Sequence, residues 1–132
     1  EIAKVCVPVV FGDAAVLRRV ADYVRVPLEV PVIALRNWQD TFDKLTAPAV
    51  LDMDCVDADV LVKSHVSAAC GEAAFRYVTA SIDAAMAGQV HGVATAPLNK
   101  EALNAAGHKY PGHTEIFAER MGAERSCMMQ YS

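Results

Sequence analysis

The chain has 132 residues, is 54% hydrophobic and carries a formal net charge of -4. This length normally makes one domain, and the acidic balance, with no basic stripe, argues against a general affinity for nucleic acid. The mean hydropathy of +0.22 is high for so short a chain. It indicates either surface that meets a missing half or a second subunit, or an alanine-rich helical core.

The sequence predicts neither a membrane-spanning segment nor a signal peptide. The longest uncharged stretch, residues 84–99, contains glycine, glutamine, proline and asparagine, so it does not predict a membrane span. The first residues lack the basic and apolar pattern of a signal peptide. The four cysteines are widely spaced, with no Cys-x-x-Cys pair. We therefore expect reduced structural cysteines in a cytoplasmic protein that binds neither membrane nor nucleic acid.

The first half of the chain alternates between strand and helix patterns. Residues 5–11 form a continuous apolar run, which is typical of a buried parallel strand. A turn at residues 12–13 leads into a predicted helix, whose apolar side chains recur at helical spacing. These side chains are Val16, Leu17, Val20 and Val24.

Two further strands are predicted before the middle of the chain. Residues 28–35 are strand-like, and Pro31 within them indicates an edge position or a break, because proline donates no ladder hydrogen bond. Residues 37–48 are polar and mixed and predict a loop, and residues 49–53 predict a short strand. Such an order of elements is typical of an α/β protein.

Alternating carboxylates follow, at Asp52, Asp54, Asp57 and Asp59. Such a run can bind calcium, but this one lacks the glycine and the distal glutamate of a calcium-binding loop. We therefore predict a solvated loop at these positions.

The longest predicted helix covers residues 64–87. Its apolar side chains repeat every four residues, Gly88 closes it, and Gly71 permits close packing against another helix. The repeating positions are Val66, Cys70, Ala74, Val78 and Ile82.

Residues 95–115 are the most informative segment of the chain. A predicted strand at residues 90–94 precedes Pro97, and Asn99 is placed to cap a short helix through residues 100–104. Gly107 is expected to stop that helix. A second turn, Pro111-Gly112, leads into His113, Thr114 and Glu115. The pattern therefore predicts a strand end and two helix starts.

Two interpretations of this segment stay open on its residues alone. Helix starts offer unpaired N–H groups, so a phosphate or carboxylate could bind there, with Lys100 and His113 adding charge or donors. Alternatively, the second turn is an ordinary loop in which Thr114 caps the next helix and His113 is solvated.

The histidines do not predict a complete metal site. His108 and His113 lie five residues apart with Glu115 nearby, but no third ligand stands at a standard spacing. His65 is expected at a helix start, and His91 in the strand near the candidate site.

Three stretches carry motifs that occur together in one enzyme family. The first is V-P-V-V-F-G-D-A-A-V-L at residues 7–17, and the second is S-A-A-C-G-E-A-A at residues 67–74. The third joins T-A-P-L-N-K at residues 95–100 to A-A-G and, most specifically, to Y-P-G-H-T-E at residues 110–115. In order and spacing they resemble the 4-hydroxythreonine-4-phosphate dehydrogenase family of vitamin B6 biosynthesis.

The resemblance implies a fold and a reaction. The fold would be α/β, like that of the isocitrate and isopropylmalate dehydrogenases, with two α/β/α subdomains around a cleft and a homodimeric assembly. The reaction would be NAD-dependent oxidation and decarboxylation of 4-phosphohydroxy-L-threonine to 3-amino-2-oxopropyl phosphate, or oxidation of erythronate or threonate 4-phosphate. A divalent metal, zinc, magnesium or cobalt, would polarise the alcohol oxygen and stabilise the enolate.

The resemblance also implies roles for individual residues. His113 and Thr114 would bind the phosphorylated substrate, and Lys100 and Asn99 would face the same cleft. Lys100 is a candidate for proton transfer, because a lysine near a metal and a second cation loses its proton more readily. The resemblance identifies no NAD-binding residue and no metal ligand within this chain.

Members of that family are more than twice as long as this chain, and their metal-binding histidines have no counterpart in it. We therefore expect residues 1–132 to be a partial substrate-binding region, inactive in isolation, of a larger dehydrogenase whose metal-ligand-bearing C-terminal part is absent. Residues 127–129 predict the start of a strand. The alternatives are a phosphate acyltransferase of similar broad fold and a non-catalytic phosphate-binding fragment.

Overall fold

The structure is a computed structural model that describes residues 2–62 and 64–129. The chain divides into two compact units, Glu1–Lys63 and Ser64–Ser132. Within the described residues, the first unit contains β1 (Val9–Gly12), α1 (Ala14–Val24), β2 (Val32–Ala34) and β3 (Ala49–Asp52). The second contains α2 (Ala68–Met86), α3 (Lys100–Ala105) and α4 (His113–Met121).

The first unit is built on a parallel sheet in the order β1-β3-β2. Its central strand, β3, has Ala49, Val50 and Leu51 each no more than 2% exposed. Uninterrupted apolar residues suit such a strand because both of its faces are covered. The predicted strand at residues 49–53 and the predicted α/β class are therefore confirmed.

The first strand is shorter than its apolar run predicts. It begins at Val9, because Ile2–Lys4 form a 3-10 turn and the N–H groups of Val5 and Cys6 donate to the carbonyl oxygen of Ile2. Those donors are used locally, so they are not available to a sheet ladder. Val5 is 85% exposed as a result.

The second strand lies at the sheet edge, as Pro31 predicts. Only Val32–Ala34 are in the strand, but the carbonyl oxygen of Pro31 still accepts from the N–H of Val50 at 2.9 Å. The predicted loop that follows contains short 3-10 turns and the buried Trp38, whose ring meets Phe11 edge-on at 5.7 Å. The sequence pattern did not predict this buried aromatic residue.

The predicted helix after β1 is confirmed as α1, although Val20 and Val24 of its apolar face are 52% and 53% exposed. Its start is held by the acidic run. The N–H of Ala14 donates to the Asp52 carboxylate at 2.9 Å. The Asp52 carboxylate therefore caps α1. The prediction of a solvated loop did not foresee this role.

The rest of the acidic run forms the predicted exposed loop. Asp54, Asp57 and Asp59 are exposed, and Ala58–Val60 form a 3-10 turn. Asp13, which is 3% exposed, holds this loop by accepting from the N–H groups of Cys55 and Val56 at 2.7 to 2.9 Å. The carboxylate that fixes this loop thus lies outside it, at the start of α1.

In the second unit, the long helix α2 begins four residues later than predicted. Ser64 has a left-handed backbone with φ of 61°, which a right-handed helix does not accommodate, and Ser67 is the N-cap. The hydroxyl of Ser67 accepts from the N–H of Cys70 at 3.2 Å. The predicted end is confirmed, because Gly88 adopts φ of 71° directly after the helix.

The core of the second unit joins all three of its helices. Ile82 of α2, Leu103 of α3 and Ile116 of α4 are each no more than 2% exposed. The prediction that Gly71 permits close packing is confirmed, because a Cβ there would lie 2.0 Å from the carbonyl oxygen of Ala102. Both short helices are therefore fixed against α2.

Two predicted strands of the second unit are not formed. Residues 90–94 and 127–129 have no strand neighbour among the described residues of this unit, and a strand needs such a neighbour to satisfy its backbone. The N–H groups of Gln89 and Val90 instead donate to the carbonyl oxygen of Ala84 at the end of α2. Across the described residues, no helix combines the length and apolar character needed to cross a membrane.

Candidate functional site

The candidate site is built on the starts of α3 and α4. The prediction that Asn99 caps α3 is confirmed, since its Oδ1 accepts from the N–H of Ala102 at 2.9 Å. Gly107 follows α3 with φ of +91°, as the predicted helix stop requires. Both predicted helix starts exist, and α4 begins at His113.

The cap decides what Asn99 can offer to a ligand. Its side-chain Oδ1 accepts one hydrogen bond from the helix, so the two N–H donors of the amide Nδ2 are the groups most available to a ligand, and the side chain is exposed. Asn99 therefore has a structural role that is independent of any binding role.

Lys100 is the first residue of α3, and its side chain is exposed. Among residues 2–62 and 64–129, it forms no ion pair or side-chain hydrogen bond. Its ammonium group therefore has no partner among the described residues and is available to contact a ligand. The helix has only six residues, so its own dipole adds little.

His113 and Thr114 are the first two residues of α4, and both are half-buried. The interpretation of Thr114 as helix cap is wrong, because Gly112 is the N-cap and no side chain caps the helix. His113, which that interpretation places in solvent, is only partly exposed. In the described chain, neither side chain has a hydrogen-bond partner, and the first N–H groups of α4 are uncapped.

The starts of α3 and α4 are both attached to the same hydrophobic core, but no polar contact joins them within the described residues. Leu103 lies one turn after Lys100, and Ile116 lies one turn after His113, and both enter the core around Ile82. Within the described residues, no hydrogen bond or ion pair joins either Lys100 or Asn99 to His113 or Thr114.

A cavity of about 240 Å³ adjoins the start of α3. It is lined by Asn99 together with Ser64, His65, Ser67 and Cys70 at the start of α2. Sequence reasoning assigned none of these four residues to the site. Ser67 and Asn99 both occupy N-cap positions, so the signal that could have identified this cavity is the approach of two helix starts.

A larger cavity of about 370 Å³ lies in the first unit, lined by Ala15 and residues 54–59. Its rim carries the exposed carboxylates of the acidic run. Negative side chains repel a phosphate, so this cavity does not suit a phosphorylated ligand.

The zinc interpretation of His108 and His113 has no support in the structure. The Nε2 atom of His108 lies 2.6 Å from the Glu72 carboxylate, and the imidazole stacks on Phe75 with ring centroids 3.7 Å apart. No group of three His, Cys, Asp or Glu side chains that could hold a metal ion occurs in the part of the chain that the structure describes.

The remaining histidines are exposed. His65 precedes the N-cap of α2, close to the predicted helix start. His91 follows α2 in irregular backbone, so its assignment to a strand is wrong. None of the four cysteines, all of which lie within the described residues, forms a disulfide, as predicted.

Two side chains of the second unit, Asp83 and Tyr110, have shifted pKa values because of contacts that they make within the unit. The hydrogen bond from Arg120 of α4 lowers the pKa of Asp83 of α2. Burial, and secondly a hydrogen bond with Glu119, raises the pKa of Tyr110 in the turn before α4. Both groups belong to the support of the second unit and do not form part of the candidate site.

Relatives of known description match most of this chain. One is a putative D-threonate 4-phosphate dehydrogenase of Oceanobacillus iheyensis, 39% identical over 126 residues, covering 92% of this chain and 36% of that protein. Another is the D-threonate 4-phosphate dehydrogenase of Pectobacterium atrosepticum, 41% identical over 106 residues, covering 78% and 32%. The 4-hydroxythreonine-4-phosphate dehydrogenase of Geobacter metallireducens is 35% identical over 129 residues, covering 98% and 38%.

Solved structures agree with this comparison. The crystal structure of a 4-hydroxythreonine-4-phosphate dehydrogenase from Burkholderia phymatum superposes with a TM-score of 0.76 at 35% identity, covering 91% of this chain and 36% of that one. A putative enzyme of the same name from Salmonella typhimurium gives 0.75 at 35% identity, covering 89% and 36%. The chain thus spans about a third of the length of the proteins that it matches.

Residues 4–132 match the family described as pyridoxal phosphate biosynthetic protein PdxA. This match covers nearly the whole chain, and the motifs around His113 and Lys100 lie within it. The resemblance inferred from the sequence is confirmed, and the chain belongs to the PdxA family.

Proposed function

We propose that this chain forms the phosphate-binding wall of a dehydrogenase that acts on a phosphorylated four-carbon acid. The proposed reaction is NAD-dependent oxidation and decarboxylation of 4-phosphohydroxy-L-threonine to 3-amino-2-oxopropyl phosphate. The observation that carries the proposal is the start of α4, where His113 and Thr114 are half-buried and have no partner in the described chain. Family membership supports the reaction class.

The start of α4 has the donors that a phosphate requires. Its first N–H groups are uncapped and point along the helix axis, and the nine-residue helix adds a partial positive charge. The His113 imidazole and the Thr114 hydroxyl can add hydrogen bonds of their own. These groups together would bind the substrate through its phosphate and orient the remainder of the molecule.

Lys100 and Asn99 would contact the same substrate. The uncommitted ammonium of Lys100 suits an anionic acid, and its amine form would accept the proton of the hydroxyl that is oxidised. The Nδ2 group of Asn99 would donate to a substrate oxygen while its Oδ1 keeps the cap of α3. Here Lys100 is the proposed catalytic residue, and Asn99 is a proposed binding residue.

NAD and a divalent metal, zinc, magnesium or cobalt, belong to the proposal as cofactors. NAD would accept the hydride, and the metal would polarise the oxygen that is oxidised. The described residues contain no metal-binding group of three side chains, so we assign no ligand here and route no step through the metal. Dehydrogenase relatives support the nicotinamide cofactor.

A second candidate substrate is D-threonate 4-phosphate. Relatives from Oceanobacillus iheyensis and Pectobacterium atrosepticum that carry this name are 39% and 41% identical to the chain. Both candidates are four-carbon acids with a phosphate at the fourth carbon, so the same phosphate site serves either. The choice between them depends on groups that meet the second carbon.

We also propose a homodimeric, cytoplasmic protein. Large apolar side chains that are exposed in this structure support a further interface. Tyr23 and Val26 of the first unit are 68% and 60% exposed, and Met86 of the second is 57% exposed. A second subunit, or more of the same polypeptide, would cover such side chains.

The test is a direct assay of the full-length protein encoded by the gene. Purified protein is mixed with NAD, zinc or magnesium, and each of three substrates: 4-phosphohydroxy-L-threonine, D-threonate 4-phosphate and D-erythronate 4-phosphate. We expect NADH to form with at least one of them. Absence of NADH with all three would overturn the proposal, and acyl-phosphate formation without NAD would identify a phosphate acyltransferase instead.

A further inference from the structure

A three-residue cluster lies just before the candidate site and is not explained by the proposed reaction. The Nε2 atom of His108 lies 2.6 Å from an Oε2 atom of Glu72, and the imidazole stacks on Phe75 at 3.7 Å with 16° between the rings. Glu72 and Phe75 lie on α2, 36 and 33 positions before His108. The cluster therefore joins the turn that precedes α4 to the longest helix of the unit.

The ring of Phe75 also stacks with the ring of Tyr110. Its ring lies 5.7 Å from that of Phe75, at an interplanar angle of 18°. Phe75 is thus a platform for two side chains of the turn at residues 107–112. Tyr110 is partly buried against the core that contains Ile116, one turn into α4.

Side chains, and not the backbone, hold this turn. The N–H of His108 still donates to the carbonyl oxygen of Leu103 at 3.0 Å, which closes α3. Beyond it, the N–H groups of Lys109, Tyr110 and Gly112 donate to no backbone carbonyl among the described residues. Because the backbone supplies no ladder or helix here, the path from α3 to His113 depends on what its side chains contact.

We propose that Glu72, Phe75 and His108 are positioning residues, which hold the turn so that His113 and Thr114 face the phosphate of the substrate. This inference rests on the proposed function, because it takes His113 as the group that binds the phosphate. None of the three positioning residues touches the substrate. Glu72 fixes the imidazole by a hydrogen bond, and Phe75 fixes its plane.

The contact between His108 and Glu72 is better suited to positioning the turn than to stabilising the fold. The Glu72 side chain is 48% exposed and that of His108 is 23% exposed, and exposed pairs add little to folding stability. A small displacement of a binding group, by contrast, has a large effect on the complex that it forms. The cluster should therefore influence substrate binding more than it influences unfolding.

The experiment uses the full-length protein with a set of matched variants. His108→Ala removes both contacts, His108→Phe retains the stacking alone, and Glu72→Gln retains a hydrogen-bonding partner. We expect His108→Ala to raise the Michaelis constant for the phosphorylated substrate about tenfold with little change in kcat. His108→Phe should recover part of that loss, and Glu72→Gln should resemble the unaltered protein.

A second ion pair of the same unit is the matched control. Arg120 of α4 contacts Asp83 of α2 at 2.7 Å and 2.5 Å, and both side chains are about half exposed. Asp83→Ala removes a tie between α2 and α4 themselves, and Arg120 lies near the end of α4 and not at its start. We expect its Michaelis constant to stay within about twofold of the unaltered value.

Dependence on His113 separates positioning from other roles. In a His113→Ala background, His108→Ala should cause no further rise in the Michaelis constant, because the group that it positions is gone. The same comparison is made without turnover, through the increase in melting temperature that inorganic phosphate causes. That increase should be reduced by His108→Ala, and by His113→Ala to the same or a greater extent.

The outcomes separate the two proposals. If His113→Ala impairs phosphate binding but His108→Ala leaves the Michaelis constant and the phosphate effect unchanged, the positioning inference is overturned and the proposed function stands. An undiminished effect of His108→Ala in the His113→Ala background also overturns it. If His113→Ala itself changes neither quantity, the proposed phosphate site is wrong, and the positioning inference fails with it.

Discussion

The backbone of Gly71 in α2 is in direct contact with that of Ala102 in α3. A Cβ placed on Gly71 would lie 2.0 Å from the carbonyl oxygen of Ala102 and 2.3 Å from its carbonyl carbon. Neither backbone atom can move aside as a flexible side chain would. This contact sets the depth of α3 on α2, and so the positions of Asn99 and Lys100 at the start of α3.

Gly71→Ala should therefore destabilise the protein strongly. The new methyl group forces the two helices apart, and overpacking of this kind costs about 3 kcal/mol, although alanine is otherwise the better helix former. Urea unfolding followed by circular dichroism measures the loss. Gly92→Ala is the control, since no atom lies within 4 Å of its added Cβ and we expect almost no change. Equal stability of the two variants would contradict the packing argument.

Asp13→Ala should destabilise the first unit by about 2–3 kcal/mol, because a buried carboxylate that accepts backbone N–H groups leaves those donors unsatisfied when it is removed. The donors are the N–H groups of Cys55 and Val56. Asp59→Ala, in the same loop but exposed, serves as the comparison and should change the free energy of unfolding by less than about 0.5 kcal/mol. A free energy of unfolding that falls equally in both variants would mean that Asp13 has no special role.

His113→Ala should raise the Michaelis constant for the phosphorylated substrate about 10- to 100-fold, as expected for one lost hydrogen bond to a charged group. The fold should survive, since the residue begins a helix and is not part of the core. Steady-state kinetics and circular dichroism of the same preparation decide the matter. His91→Ala, at an exposed position in the irregular backbone after α2, should behave as the unaltered protein. Unfolding of the His113 variant would assign that residue a structural role instead.

Lys100→Ala should lower kcat by about 10²- to 10⁴-fold if its amine accepts the substrate proton. Lys100→Arg is the sharper variant, because arginine keeps the positive charge but does not give up its proton. We expect kcat to remain low in Lys100→Arg while the Michaelis constant recovers. Recovery of kcat as well would show that Lys100 acts only by its charge. Lys109→Ala provides an exposed lysine for comparison.

Features that depend on neighbours in the chain were predictable from the sequence. Asn99 caps α3, Gly88 and Gly107 follow helix ends, and Pro31 marks an edge strand, each as predicted. These residues act through their own backbone or through groups within four positions of them. Family membership was predictable for a similar reason, since the motifs around His113 are contiguous.

Features that depend on distant contacts were not predictable. Residues 90–94 have the composition of a strand, yet they form none among the described residues, because composition does not supply a neighbouring strand. Trp38 is buried inside a segment that its polar neighbours predict to be a loop.

The sequence by itself determined the family and the α/β class, and it predicted the residues that would form a phosphate site. Only the tertiary structure decided that Asp52 caps α1 and that His108 contacts Glu72, 36 positions earlier. It also decided that Leu103 and Ile116, one turn after Lys100 and His113, pack in the same core. The physical reason is the same in each case. Local propensity and capping act within a few residues, whereas these contacts exist only after helices and strands have packed.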